Sequence, residues 1–485
     1  MIDLSIVLHK EVTFPALLYV CYLLHRDLKS AKATSQVDDN APEVETQHHV
    51  NPSSSLEWNP NPAMSSVRRI DSEEDYKPWH ETKPYPYKPF KAGEYRLTMG
   101  VRPIPSDDWL VLENTYKERI ESKWEIIKSN YKDVIYHLDP AMINCSESDI
   151  GQKTSGKVLT EEILITQKDV ENSNVALCEL YSYVTSFLIQ RFPQFFEMKL
   201  SPSEESPGVF YNKILDEFHP LDPAKYLELE DGDISFLKYC CMNVEFIPRE
   251  LQEGNCKTDK VGYIPLVTCS KTRRAHELIL SMSRMVEEDL VLLLPNASRQ
   301  YNGEYILFTG CFAFAAGFNP RQRYLKPLTL IHGPVPDYKR NLQSQMNKFF
   351  ETTRQGKVVM RLNFSFQVHD KLYVTQENKG TEDEEIRAKT LDELRGGHDL
   401  YYRSERQCVV KLGPQSNAIC FSIKTYLWNM AEQFLEDEFY AQESVIEDLR
   451  SAVTGMQENI GQYKRRPEWG PALVDLLQKR LERFK

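Results

Sequence analysis

Residues 358–368 read VVMRLNFSFQV. From 360 onward the side chains alternate: Met360, Leu362, Phe364, Phe366 and Val368 to one side, Arg361, Asn363, Ser365 and Gln367 to the other. A period of two is that of a β-strand with one face on a core. The same period returns in RSERQCVVKLG (403–413) and NAICFSIKTYL (417–427), which pair as a hairpin through Gly413-Pro414-Gln415-Ser416. EYILFTGCFAF (304–314) reads as a further strand. Around these strands the period changes to that of a helix. LENTYKERIESKWEIIKSNY sets Tyr116, Ile120, Trp124 and Ile127 on one face, and VALCELYSYVTSFLIQRF (175–192) reads as a buried helix. AHELILSMSRMVEEDLVLLL reads as helix at least to about Asp289. DYKRNLQSQMNKFF carries Leu342, Met346, Phe349 and Phe350 at helical spacing with Asp337 as its N-cap. After Tyr426 the chain turns helical again, and Pro471 starts a last helix with Leu473, Leu477, Leu481 and Phe484 in line. The fold class is α+β, an antiparallel sheet carried by flanking helices.

The chain has 485 residues, 41% of them hydrophobic, which is ample for a large core. Its net charge of −12, with no basic block, excludes nucleic acid as a partner, because phosphate contacts need clustered Lys and Arg. Ten cysteines are scattered without CxxC spacing, so a disulfide scaffold, a thioredoxin motif and a zinc ribbon are all disfavoured. Residues 1–30 hold an apolar segment (4–24) interrupted by His9, Lys10 and Glu11. Its uninterrupted run, 12–24, is shorter than the roughly 20 residues a bilayer span wants. Two readings stay open: a membrane anchor that leaves the main domain in the cytosol by the positive-inside rule, or an amphipathic or core-docking helix in a cytoplasmic protein. Residues 31–75 read as a disordered linker. Residues 76–430 are expected to form the main domain, with 431–485 as helices packed on it.

GxGxxG, P-loop, GxSxG and HExxH signatures are absent. VEEDL (286–290) reads as a solvated helix end. The polar face of 358–368 is more informative. Arg361, Asn363 and Ser365 share it, and the hairpin strand aligns Arg403, Glu405 and Gln407. Two guanidinium groups on neighbouring strands suit a carboxylate or phosphate; surface ion pairs are the plainer reading. LTLIHGPVPDYKR (328–340) sets His332 between an apolar run and a stiff turn. A single imidazole cannot hold a bare metal ion, which needs about three or four protein ligands. It can hold haem iron, whose two propionates also want Arg. Cys311 is the second candidate ligand, and a His332 that merely ends a strand is the alternative without a ligand.

YKPFKAGEYRLTMGVRPIPSDDWLVLENTY, VEEDLVLL, IHGPVP, RLNFSF and RSERQCVVKL…NAICFSIKTYL together resemble, in order over roughly 76–428, the haem-dependent oxidative N-demethylase family. The resemblance implies a PAS-like sheet cradling haem, O₂ activated at the iron, and oxidation of a small secondary N-methyl amine to a primary amine and formaldehyde. It implies His332 as axial ligand, Arg361, Asn363 and Arg406 as haem contacts, and Arg403 and Glu405 as active-site residues, with Glu405 placed to orient an arginine. On a regular strand Arg406 faces away from Arg403, so both serve one ligand only across a bulge. The family's RxNW reads RLNF here and its RQT reads Arg406-Gln407-Cys408. No flavin, nicotinamide or iron–sulfur fingerprint occurs, so electrons are expected from a separate flavin or iron–sulfur reductase. A haem- or small-ligand-binding sensor without turnover, and a degenerate scaffold, remain as alternatives.

Overall fold

The computed structural model describes Val67 and residues 77–95, 98–144, 146, 163–203, 206–229, 267–295 and 304–485. The apolar N-terminal segment, read as anchor or docking helix, and the linker (Val67 aside) lie outside these residues. Among the described residues no helix is long and apolar enough to cross a membrane.

The chain runs from β1 (Arg102–Pro103) through α1 (Tyr116–Val134), β2 (Ile135–Tyr136) and α2 (Gln167–Arg191) into a small sheet of β3 (Phe196–Leu200), β4 (Val209–Asn212) and β5 (Glu217–Pro220). Next come α3 (Pro223–Leu227), α4 (Ser270–Met285), β6 (Asp289–Pro295) and β7 (Tyr305–Cys311). Three short helices follow: α5 (Leu328–Ile331), α6 (Tyr338–Asn341) and α7 (Gln343–Thr352). They lead to β8 (Val358–Gln367), β9 (Tyr401–Lys411) and β10 (Ile419–Asn429), and the chain closes with α8 (Glu443–Thr454), α9 (Glu458–Tyr463) and α10 (Arg466–Glu482). The main sheet has the order β1-β8-β9-β10-β6-β7-β2, and every pairing is antiparallel. The α+β class therefore holds.

Register fixes what each face carries. Arg361, Asn363 and Ser365 lie directly opposite Gln407, Glu405 and Arg403, and these continue to Ile423, Thr425 and Leu427 on β10. The other face carries Leu362, Phe364 and Phe366 opposite Arg406, Ser404 and Tyr402. There Phe364, Phe366 and Tyr402 pack into one apolar cluster with Phe90, Phe434, Tyr440, Trp469 and the buried side of α8–α10, including Ile446, Leu449, Leu473 and Leu477. Each such buried side chain contributes about 1.5–3 kcal/mol by leaving water, so the C-terminal helices are held by the same strand that carries Arg361. The Arg361 face is covered too: Arg403 donates from it to the carbonyls of Phe314 and Leu372. The alternation of 358–368 therefore separates an apolar buried face from a half-buried polar one, not core from open water.

Several elements depart from the sequence reading. Helix α4 ends at Met285, and DLVLLLP (289–295) becomes β6. A short apolar run has no period that tells strand from helix, and β10 and β7 supply the backbone partners on both sides. Gly310 (φ 137) makes the β7 pairing feasible, since a Cβ there would lie 2.3 Å from the Leu290 oxygen. The VEEDL acids are not solvated: Glu287, Glu288 and Asp289 are all buried. Lys424 reaches Glu287 and, at 2.9 Å, Glu113, while Lys123 donates to the Val286 and Glu288 carbonyls. The 338–352 helix breaks into α6 and α7 at Leu342, and Asp337 enters α6 with φ 58 and no side-chain cap. Strand β10 runs past Tyr426 to Asn429. Helix α10 starts at Arg466, where Pro467 takes the N-terminal position expected of Pro471, and Phe484 is exposed beyond its end.

Candidate functional site

His332 ends not a strand but the single turn of α5. Its Nδ1 lies 2.9 Å from the Leu328 carbonyl oxygen. That oxygen only accepts, so Nδ1 carries the proton and the neutral ring keeps its lone pair on Nε2. The ring stacks on Tyr338 at 4.7 Å and 11°. Burial pulls its pKa below the ordinary histidine value; the Leu328 hydrogen bond opposes this, and the charges of Arg361 and Arg323 add to it. A neutral imidazole with one nitrogen tied to a backbone carbonyl is the form in which histidine ligates a metal.

Glu304, just before β7, ties this turn to the sheet. Its carboxylate accepts from Thr329 N (2.9 Å), Thr329 Oγ1 (2.6 Å), Gln343 Nε2 (3.0 Å) and Asn347 Nδ2 (2.9 Å). Burial works to raise its pKa, but these donors outweigh it and hold the group below the usual carboxylate range. The sequence reading missed Glu304; an acid at the head of an apolar strand was its one signal.

On the Arg361 face a polar chain crosses the strands. Arg361 Nη1 donates to Gln407 Oε1 (3.1 Å), Gln407 Nε2 to Glu405 Oε2 (2.8 Å), and Asn363 Nδ2 to the same oxygen (3.2 Å). Lys464 from the α9–α10 junction donates to Asn363 Oδ1 at 3.1 Å. Arg361 Nε is buried without a hydrogen-bond partner, and burial lowers the guanidinium pKa. A guanidinium kept from water with an unfilled donor is suited to an anion. Tyr463 and Arg323, also missed in the sequence, belong to this neighbourhood: the Tyr463 phenol feels both Arg323 and Glu405.

The other two arginines are already engaged. Arg403 shares the Arg361 face, but it is fully buried, donates to Leu372 O and Phe314 O, and stands 3.6 Å from Glu405 Oε1. Arg406 is on the opposite face with no bulge to turn it back. There it donates to Trp109 O (2.9 Å) and Asp108 O, and lies over the Tyr87 ring. Arg361 and Arg406 are thus not brought to one ligand. Cys311, opposite Leu290 and in line with Ser422 and Cys408, is also on the Arg406 face. Burial pushes its thiol up to about 12, which disfavours a thiolate. Among the described residues no three His, Cys, Asp or Glu side chains gather as a bare metal ion requires.

A family model described as haem-dependent oxidative N-demethylase, alpha subunit-like, matches residues 100–245 and 255–474. The chain belongs to this family. No curated protein matches it. The family match runs beyond 428 into α10 and leaves out residues 76–99. The group that gives the N-demethylase family its name fits two observations of this chain: the bare Nε2 of His332 and the unfilled donor of Arg361. Phe364, which stands where the resemblance leads one to expect Trp, is buried on the Arg406 face between Phe90 and Tyr95. Cys408 lies on that face as well. Both departures from the family pattern therefore fall in the core and leave the polar chain around Arg361 intact.

Proposed function

We propose that this chain is the haem-binding subunit of an oxidative N-demethylase acting on a small secondary amine, and that His332 would hold the haem iron through Nε2. The observation that carries the proposal is the Leu328 hydrogen bond, which holds the His332 proton on Nδ1. When bound, haem supplies the iron at which O₂ is activated. In balance, R–NH–CH₃, O₂, two electrons and two protons give R–NH₂, formaldehyde and water. The chain's own residues have separate tasks. Leu328 O and Tyr338 orient the imidazole, and Glu304 fixes the turn that bears it. Arg361 offers its unfilled Nε to a propionate. Glu405, held by Asn363 and Gln407, provides the negative charge that attracts the substrate ammonium. Arg403 and Arg406, engaged by backbone carbonyls, hold the irregular segments on either face of the sheet. The PAS-like character of the fold belongs to the same proposal; the antiparallel strands with helical segment α5–α7 inserted between β7 and β8 support it.

The electrons come from a separate reductase, and the alpha-subunit wording of the family description supports one component among several. The test is reconstitution with haem, an electron source and dimethylamine under air. Formaldehyde released in step with O₂ consumed is the expected result. A Soret band without formaldehyde would instead make the chain a haem-binding sensor.

A further inference from the structure

A cavity of about 680 Å³ opens beside Arg323, lined also by Phe318, Val368, His369, Thr375 and Lys379. Its volume is that of small-molecule sites, which run roughly 300–1,000 Å³. The other charged groups of its lining are matched: Arg465 pairs with Glu384 and Glu468, Lys389 lies 3.8 Å from Glu468, and Glu377 lies 3.9 Å from Lys371. Arg323 and Lys379 have no acidic partner and no side-chain hydrogen bond among the described residues. Arg323 is half-buried over the Phe318 ring, 5.5 Å from its centroid. Lys379 is half-buried too, and burial followed by the Arg323 charge lowers its pKa. The juxtaposition is built in. Gly317 (φ +80) donates to Val374 O at 2.8 Å, and a Cβ on it would lie 2.6 Å from Lys379 Cβ. Only glycine lets the Arg323 and Lys379 segments approach this closely. Two like charges left unpaired in a cavity are unfavourable until an anion joins them.

We propose that Arg323 and Lys379 form a carboxylate-binding site, and that the amine oxidised by this protein is an N-methyl amine bearing a carboxylate. The second clause rests on the N-demethylase reading; the first does not. The Arg323 charge lowers the pKa of both His332 and Lys379, so the guanidinium of this cavity lies within electrostatic reach of the histidine proposed to hold the haem iron. A planar fork over an aromatic ring beside an ammonium is a fitting receptor for a carboxylate.

The experiment is calorimetric titration of the haem-reconstituted full chain with N-methylglycine and with dimethylamine, which differ by the carboxylate alone. N-methylglycine is expected to bind about tenfold tighter or more. Arg323→Gln and Lys379→Met should each abolish that preference while haem content stays unchanged. Equal binding of the two amines overturns the proposal. So does a loss of haem from both variants, which would give the pair to a haem propionate. If the chain takes up no haem, the same titration on the haem-free protein still decides: retained preference supports the carboxylate site while the N-demethylase reading fails. Should Arg323→Gln not fold, Lys379→Met carries the test alone.

Discussion

Replacing Arg361 with methionine keeps most of the volume and removes the charge. In the folded chain the guanidinium gains one hydrogen bond, to Gln407 at 3.1 Å, worth about 1.5–3 kcal/mol for a charged donor. Against this stands Nε, buried with no partner, at a cost of about 1–3 kcal/mol. The two nearly cancel, and methionine also relieves the desolvation of the ion. The haem-free variant should therefore unfold in urea within about 1 kcal/mol of wild type. Haem is different. If Arg361 meets a propionate, its loss removes a charge-assisted contact, and affinity in a Soret titration should fall about 10- to 100-fold. A haem-free variant destabilised by more than about 3 kcal/mol, with haem affinity unchanged, would make Arg361 a structural ion and refute the reasoning.

Three further outcomes are expected. His137 and His276 are buried neutral imidazoles, pulled down by burial to about 4 and about 3. Unfolding lets both take up protons below about pH 6.5. Their stabilisation is thus complete above that pH and lost as pH falls toward 4 and 3, partly offset by Asp289, which burial raises to about 6; urea unfolding free energies that do not drop between pH 7 and pH 5 would contradict this. Phe364→Trp, which restores the residue the resemblance expects, should overpack the Phe90–Tyr95–Tyr402 cluster and cost about 1–3 kcal/mol without changing amine preference; a preference shift in formaldehyde assays would bring Phe364 back to the site. Glu304→Ala leaves the Thr329 and Asn347 amides without their acceptor and the Gln343 amide with Thr329 Oγ1 alone. It should lower stability by about 1–3 kcal/mol and broaden the Soret band, and a wild-type melt and spectrum would remove Glu304 from the positioning of His332.

The sheet was legible because a period of two survives packing on both sides: in 358–368 Arg361 and Asn363 meet polar cross-strand neighbours, Gln407 and Glu405. The turn that follows His332 was legible in Gly333, Pro334 and Pro336. Other features depended on distant partners. The acids of VEEDL read as surface because nothing local marks Lys424, 137 residues from Glu287, or Lys123, 3.9 Å from Asp289, as buried cations beside them. Arg403 and Arg406 read as ligand contacts because arginines on a strand suggest anions. Their acceptors are instead backbone carbonyls of irregular segments at 108–109, 314 and 372, for which side-chain patterns give no sign. Arg323 and Tyr463 come to the site from segments whose placement depends on the packing of α5–α7 and α9, so neither stood out in the sequence.

The most direct measurement is the absorption spectrum of His332→Ala after haem reconstitution, beside wild type. Losing the imidazole removes a ring stacked on Tyr338 and no part of the apolar core, so the variant should fold. Its Soret band should be lost or blue-shifted, and added imidazole should partly restore it. A wild-type Soret band in the variant, or a thiolate-type spectrum abolished by Cys311→Ser, would contradict the assignment of His332 as the haem ligand.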